Sequence, residues 1–150
     1  MYTHVMSSEP LDRLVNDLLR STGLLIRRAR AEHPHQISIA QLQVMSRLAE
    51  AGPLTTADLA RAEAMKPQSM GATLVPLEQE GLVARDAHPT DGRQMLVRLT
   101  QKGDEVRRSN KLATRNWLTA AVGRLNADER NTLAAAVEIM QRLTLPDTRP

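Results

Sequence analysis

Lys66, Pro67, Gln68 and Ser69, with Thr73 one turn further on, have the types and spacing for recognition chemistry. A glutamine can pair bidentately with adenine, a lysine suits guanine or a phosphate, and a serine hydroxyl is permissive. A second set follows: Arg85, Asp91, Arg93 and Arg98 place guanidinium groups, which suit phosphate, around one carboxylate. Other chemistries have less to work with. His33 and His35 form a His-x-His pair able to ligate a metal, but the nearest carboxylate is Glu32 and the chain has no cysteine to supply a thiolate. His4 and His88 offer no third ligand at a recognisable spacing. Ser21, Ser38, Ser46, Ser69 and Ser109 sit in no nucleophile-elbow context, and no glycine-rich phosphate loop is present. The expectation is a protein without a catalytic site, a metal or a cofactor.

Composition limits what could position these residues. The chain has 150 residues, 41% hydrophobic and 25% charged, which fits one globular domain. Tyr2 and Trp117 are the only aromatic residues, so Leu, Val, Ile, Met and Ala must fill the core, a composition suited to helix-on-helix packing. Met6, Met45, Met65, Met70, Met95 and Met140 read as core filler more readily than as the lining of an adaptable pocket. The formal net charge is +3, too modest by itself to identify a nucleic-acid binder. The stretch Met1 to Pro10 has no basic-then-apolar signal pattern and no apolar run reaches the length of a membrane span, so a soluble cytoplasmic protein is expected.

Apolar steps of three and four at Leu11, Leu14, Val15, Leu18, Leu25, Ile26 and Ala29 predict a first helix, with Arg13, Arg20, Arg27, Arg28 and Arg30 on its solvated side. It should stop near His33-Pro34-His35. A second helix follows from Ile39 to Ala51, closed by Gly52-Pro53. Thr55 serves as N-cap of a short third helix to Ala64, with Asp58 as capping-box partner and Leu54 and Leu59 as a hydrophobic staple. Pro67 opens a fourth helix, which runs to Glu80 and ends on Gly81, where Leu77 and Leu82 fit the apolar contact of a Schellman cap. The period then changes. Leu82 to Arg85 and Met95 to Leu99 read as two strands joined through His88-Pro89-Thr90-Asp91-Gly92, with Asp-Gly the main turn signal. A long fifth helix from Thr100 to Leu125 and a sixth from Asp128 to Thr144 complete the chain.

Two short helices followed at once by a β-hairpin form the winged helix-turn-helix pattern. With Met70, Leu74 and Leu77 inward, the fourth helix turns Gln68, Ser69, Ala72, Val75, Pro76 and Gln79 outward. The segment from Asp91 to Gly103 (Asp, one residue, Arg, five residues, Leu-Thr, two residues, Gly) resembles the wing signature of the MarR (multiple antibiotic resistance regulator) family. Leu77-Glu78-Gln79-Glu80-Gly81-Leu82-Val83 is similar to that family's end of the recognition helix. The resemblance implies a mainly α fold with a small hairpin wing. The winged lobe would span about 36–100, and dimerisation helices about 10–32 and 101–145.

It further implies a homodimer whose first, fifth and sixth helices interlock on palindromic double-stranded DNA. Arg93 would reach the minor groove or its phosphates, Asp91 would orient it, and Arg85 and Arg98 would contact the backbone. Family members bind small anionic or phenolic effectors, for which Arg27 and Trp117 are candidates here. Ala72 and Pro76 depart from the family pattern, where longer polar or basic side chains are common, which shifts base reading toward Lys66, Gln68, Ser69, the wing and DNA shape. The expected function is a ligand-responsive transcriptional repressor. The alternative is a winged-helix module that docks another protein, kept open by the low net charge and the small residues on the fourth helix.

Overall fold

A computed structural model describes residues 9–145. Tyr2, His4, Met6 and most of the stretch read for a signal pattern therefore lie outside the described residues. The chain divides into two compact units, Met1–Thr114 and Arg115–Pro150. The first contains helices α1 (Glu9–Arg30), α2 (Ile39–Ala51), α3 (Thr56–Ala62) and α4 (Pro67–Gln79), and strands β1 (Leu54–Thr55), β2 (Val83–Ala87) and β3 (Met95–Leu99). Helix α5 (Gln101–Gly123) begins in it, and the second unit holds the end of α5 together with α6 (Ala127–Leu143). No helix among the described residues is long and apolar enough to cross a membrane.

Local chemistry explains most boundaries. Ser38 caps α2 in a full capping box with Gln41, and Asn126 does the same for α6 with Glu129. Gly52 takes a positive φ and donates its N–H to the Leu48 carbonyl, which ends α2. Thr55 caps α3 as expected, but Asp58 does not return the bond to the backbone. Its carboxylate, one methylene shorter than glutamate, accepts instead from the Thr55 hydroxyl at 2.8 Å. Helix α3 stops at Ala62, two residues before the expected end. The Met65 N–H reaches back to the Ala60 carbonyl, and Ala64 adopts φ 51°. At the end of α4 the Leu82 N–H bonds the Leu77 carbonyl and the Gly81 N–H bonds that of Glu78, completing the Schellman pairing.

The hairpin gains a third strand. The sheet order is β1-β3-β2, all antiparallel, with Leu54 opposite Val97 and Arg85 opposite Val97 on the other side. Two residues are too few to show a period, so β1 left no pattern in the sequence. Beneath the sheet, Val44, Met45, Leu48, Leu59, Met70, Leu74, Leu77, Leu82 and Val97 form a fully closed aliphatic core. Helix α5 enters that core through a glycine. A Cβ on Gly103 would lie 2.0 Å from the Leu82 carbonyl oxygen and 2.8 Å from Leu99 Cδ1. The same carbonyl accepts the Thr100 N–H at 3.0 Å, while the Thr100 hydroxyl donates to the Gly81 carbonyl and accepts the Gly103 N–H. The Leu-Thr-x-x-Gly part of the wing motif is therefore the joint between β3 and α5.

One face of α1 stays uncovered. Of its apolar stripe only Ala29 is buried, whereas Leu11 and Leu14 are more than 60% exposed and Leu25 is 50% exposed. Arg30 is not on the solvated side as its position suggested. It is half-buried and donates from Nη2 to the Ile37 carbonyl at 2.8 Å, because the chain folds back past it into α2.

Candidate nucleic-acid interface

Helix α4 has the register required for an outward recognition face. Met70, Leu74 and Leu77 are buried, so Gln68, Ser69, Ala72, Val75 and Gln79 are exposed. Its N-terminus differs from those of α2, α3 and α6. Lys66 occupies the N-cap with extended backbone and makes no side-chain capping bond, and Pro67 at N1 has no N–H. The Gln68 and Ser69 amides, which precede the first intrahelical bond from Met70 to Lys66, point out beside an exposed lysine. That end of the helix combines unpaired N–H groups, positive dipole and a cation, an arrangement suited to phosphate. Thr73 is half-buried, and its hydroxyl donates to the Ser69 carbonyl at 2.9 Å. Pro76 stands inside the helix, which continues through it to Gln79.

The wing turn is ordered by side chains rather than by glycine. Gly92 does not take a positive φ, so the Asp-Gly pair forms no primed turn. The seven-residue connection is closed instead by His88 Nδ1, which accepts from the Thr90 and Asp91 amides, and by Asp91. The expected carboxylate–guanidinium pairing of Asp91 with Arg93 is replaced by an Asx turn. Asp91 Oδ1 accepts the Arg93 backbone N–H at 3.1 Å and Oδ2 accepts from Gln94 Nε2 at 3.0 Å, since a short aspartate reaches the amide two residues on. Asp91 thus orients the Arg93 backbone, and the exposed Arg93 guanidinium pairs with no carboxylate among the described residues.

Arg85 and Arg98 are engaged within the fold. Arg98 Nε donates to Asp86 across the strands at 2.6 Å. Arg85 Nε donates to Glu78 on α4 at 2.5 Å, and its Nη1 donates to the Thr56 hydroxyl on α3 at 3.1 Å.

The two histidines are attached differently. His33 Nε2 lies 2.7 Å from the Thr114 hydroxyl, in hydrogen-bond contact, and burial followed by the charge of Arg30 lowers its pKa from 6.5. His35 is held by its backbone: its N–H donates to Asn110 Oδ1 and its carbonyl accepts from Asn110 Nδ2. Asn110, fully buried on α5, clamps the link between α1 and α2, and nothing in the spacing of the sequence marks it. Arg27 borders a surface cavity of about 300 Å³ with Gly23, Ile26, Arg30 and Ile39. Trp117 is half-buried in the second unit.

The sequence profile of the MarR family matches residues 37–95. An uncharacterized HTH-type transcriptional regulator of Mycobacterium leprae is 35% identical over 87% of this chain and 92% of its own length. The HTH-type transcriptional repressor NicR of Pseudomonas putida is 28% identical over 83% of the chain and 84% of its own. Among solved structures, apo wild-type MarR from E. coli superposes with a TM-score of 0.67 at 25% identity, covering 93% of this chain and all of that one.

Proposed function

This chain belongs to the MarR family and is a DNA-binding transcriptional regulator rather than an enzyme; from that premise we propose that it is a ligand-responsive repressor acting as a cytoplasmic homodimer on a pseudo-palindromic operator. The observation that supports this reading most is the pairing of an exposed, uncapped α4 N-terminus with an unpaired Arg93 at the tip of an ordered wing. The helix fits the major groove, where Lys66, Gln68 and Ser69 would read or grip DNA, while Arg93 would take the flanking minor groove or its phosphates. The exposed leucines of α1 supply an apolar face for a second copy. A small anionic or phenolic effector is the proposed signal, with Arg27 and Trp117 as candidate contacts. Such a ligand would act by favouring one separation of the two recognition helices. The winged lobe, about 36–100, and the helices on either side of it would work as one functional domain.

The test is fluorescence anisotropy against the chain's own upstream DNA at two salt concentrations. A sequence-dependent, salt-sensitive complex is expected, with half-sites about 10 bp apart centre to centre. Binding indifferent to sequence would favour the protein-docking alternative.

A further inference from the structure

We propose that Arg85 is a positioning residue, a brace that sets the wing relative to the recognition helix, and not a contact to the DNA backbone. The inference rests on the DNA-binding reading and reassigns one residue within it. Side chains alternate across a strand, so Arg85 shares a face with buried Val83 and stands opposite buried Val97. Asp86 and Arg98 occupy the other face and pair with each other. Arg85 therefore leaves the sheet at the margin of the core, toward the helices. There its planar guanidinium is held at two points on two different elements, Glu78 of α4 and Thr56 of α3, with both members of the ion pair one-third exposed. Two-point attachment fixes the direction of a guanidinium in a way that a single contact does not. A phosphate would have to displace Glu78, which would then lie uncompensated near the DNA. In the wing, the arginine whose guanidinium has no partner among the described residues is Arg93, eight positions further on. Helix α4 and the wing must meet two features of one duplex together, so a loss of their mutual angle lowers affinity without removing a charge contact.

The two roles predict opposite signs for one substitution. DNA selected by the wild-type chain from a random pool serves as probe, and anisotropy is followed across salt concentration. For a brace, Glu78→Gln and Arg85→Gln each weaken binding, about tenfold, and the double variant is no weaker than either. The salt slope then stays at the wild-type value, and the exchange Glu78→Arg with Arg85→Glu restores affinity. For a phosphate contact, Glu78→Gln tightens binding and Arg85→Gln lowers the slope by about 0.9 per subunit; either result overturns the proposal. Unchanged thermal midpoints separate a brace from a folding defect, as an exposed pair contributes little to stability. A DNA-free measurement covers the case in which the wild-type chain selects no DNA. The chain has no cysteine, so nitroxides can be placed through Ala72→Cys and Ala87→Cys, both at exposed positions. Arg85→Gln should broaden the helix-to-wing distance distribution in the free protein, and an unaltered distribution overturns the brace.

Discussion

Gly103 answers to packing, whereas the Arg93 guanidinium is held by nothing among the described residues and answers, on the proposed reading, to DNA. Replacing a helical glycine by alanine ordinarily stabilises by about 1 kcal/mol. At Gly103 the new Cβ would meet a backbone oxygen at 2.0 Å that is already committed to the Thr100 amide, so it cannot move away cheaply. Gly103→Ala should destabilise by about 3 kcal/mol, the upper end for overpacking, read as a lower midpoint in urea. Arg93→Ala should leave that midpoint alone, since its guanidinium supports nothing in the fold. It should instead weaken operator binding and lower the salt slope by about one to two units for a dimer. His33 adds a pH dependence of definite sign. Its folded pKa lies below 6.5, so the unfolded chain binds the proton more readily. The contribution of neutral His33 is complete above 6.5 and is lost as pH falls from there through the folded value. Thermal midpoints followed from about pH 7.5 to about pH 5, either side of the ordinary histidine pKa, should show a smaller acid decline in His33→Gln than in the wild type.

Between α3 and α4 the chain reverses on Ala64, the one described residue other than glycine with positive φ. The geometry is that of a Schellman cap, with the Met65 amide on the Ala60 carbonyl and the Ala64 amide on that of Arg61. A left-handed alanine costs about 1–2 kcal/mol, and a glycine there would lose about 0.5–1 kcal/mol more chain entropy on folding. The first figure exceeds the second, so Ala64→Gly should stabilise by about 0.5–1 kcal/mol, measurable by urea denaturation. The hydrogen bonds of this turn are complete with alanine in place, so the strain lies in the backbone alone. The wing follows a different logic. Its conformation comes from acceptors on His88 and Asp91 that bind nearby amides, while its glycine stays in ordinary backbone.

At the scale of the whole molecule, the exposed face of α1 should decide assembly. Leu14→Glu with Leu25→Glu should change little in the isolated fold, because both side chains are at least half exposed. In a dimer they would bury two charges at an apolar seam, which is costly without a partner. Analytical ultracentrifugation should therefore find monomers, and operator affinity should fall with them; a variant that stays dimeric would move the interface elsewhere.

The sequence by itself determined the helices, the wing and the face of α4 presented outward. Each of these follows from a capping residue or an apolar period read within a few neighbouring positions, as with Thr55 or Met70, Leu74 and Leu77, while the Asp91-Gly92 signal marked the wing without giving its turn type, because Gly92 does not take a positive φ. It also carried the wing motif, although not the reason for its glycine. Only the tertiary structure decided that two residues before α3 pair with β3, that Asn110 holds the backbone of His35, and that Arg85 meets Glu78 and Thr56. In the first two cases the partners lie far apart in the chain, and no local spacing specifies which distant group a side chain or a two-residue strand will find. Glu78 is only seven positions from Arg85, but a cap and a change from helix to strand intervene, and the packing of the core sets the direction in which that arginine leaves the sheet.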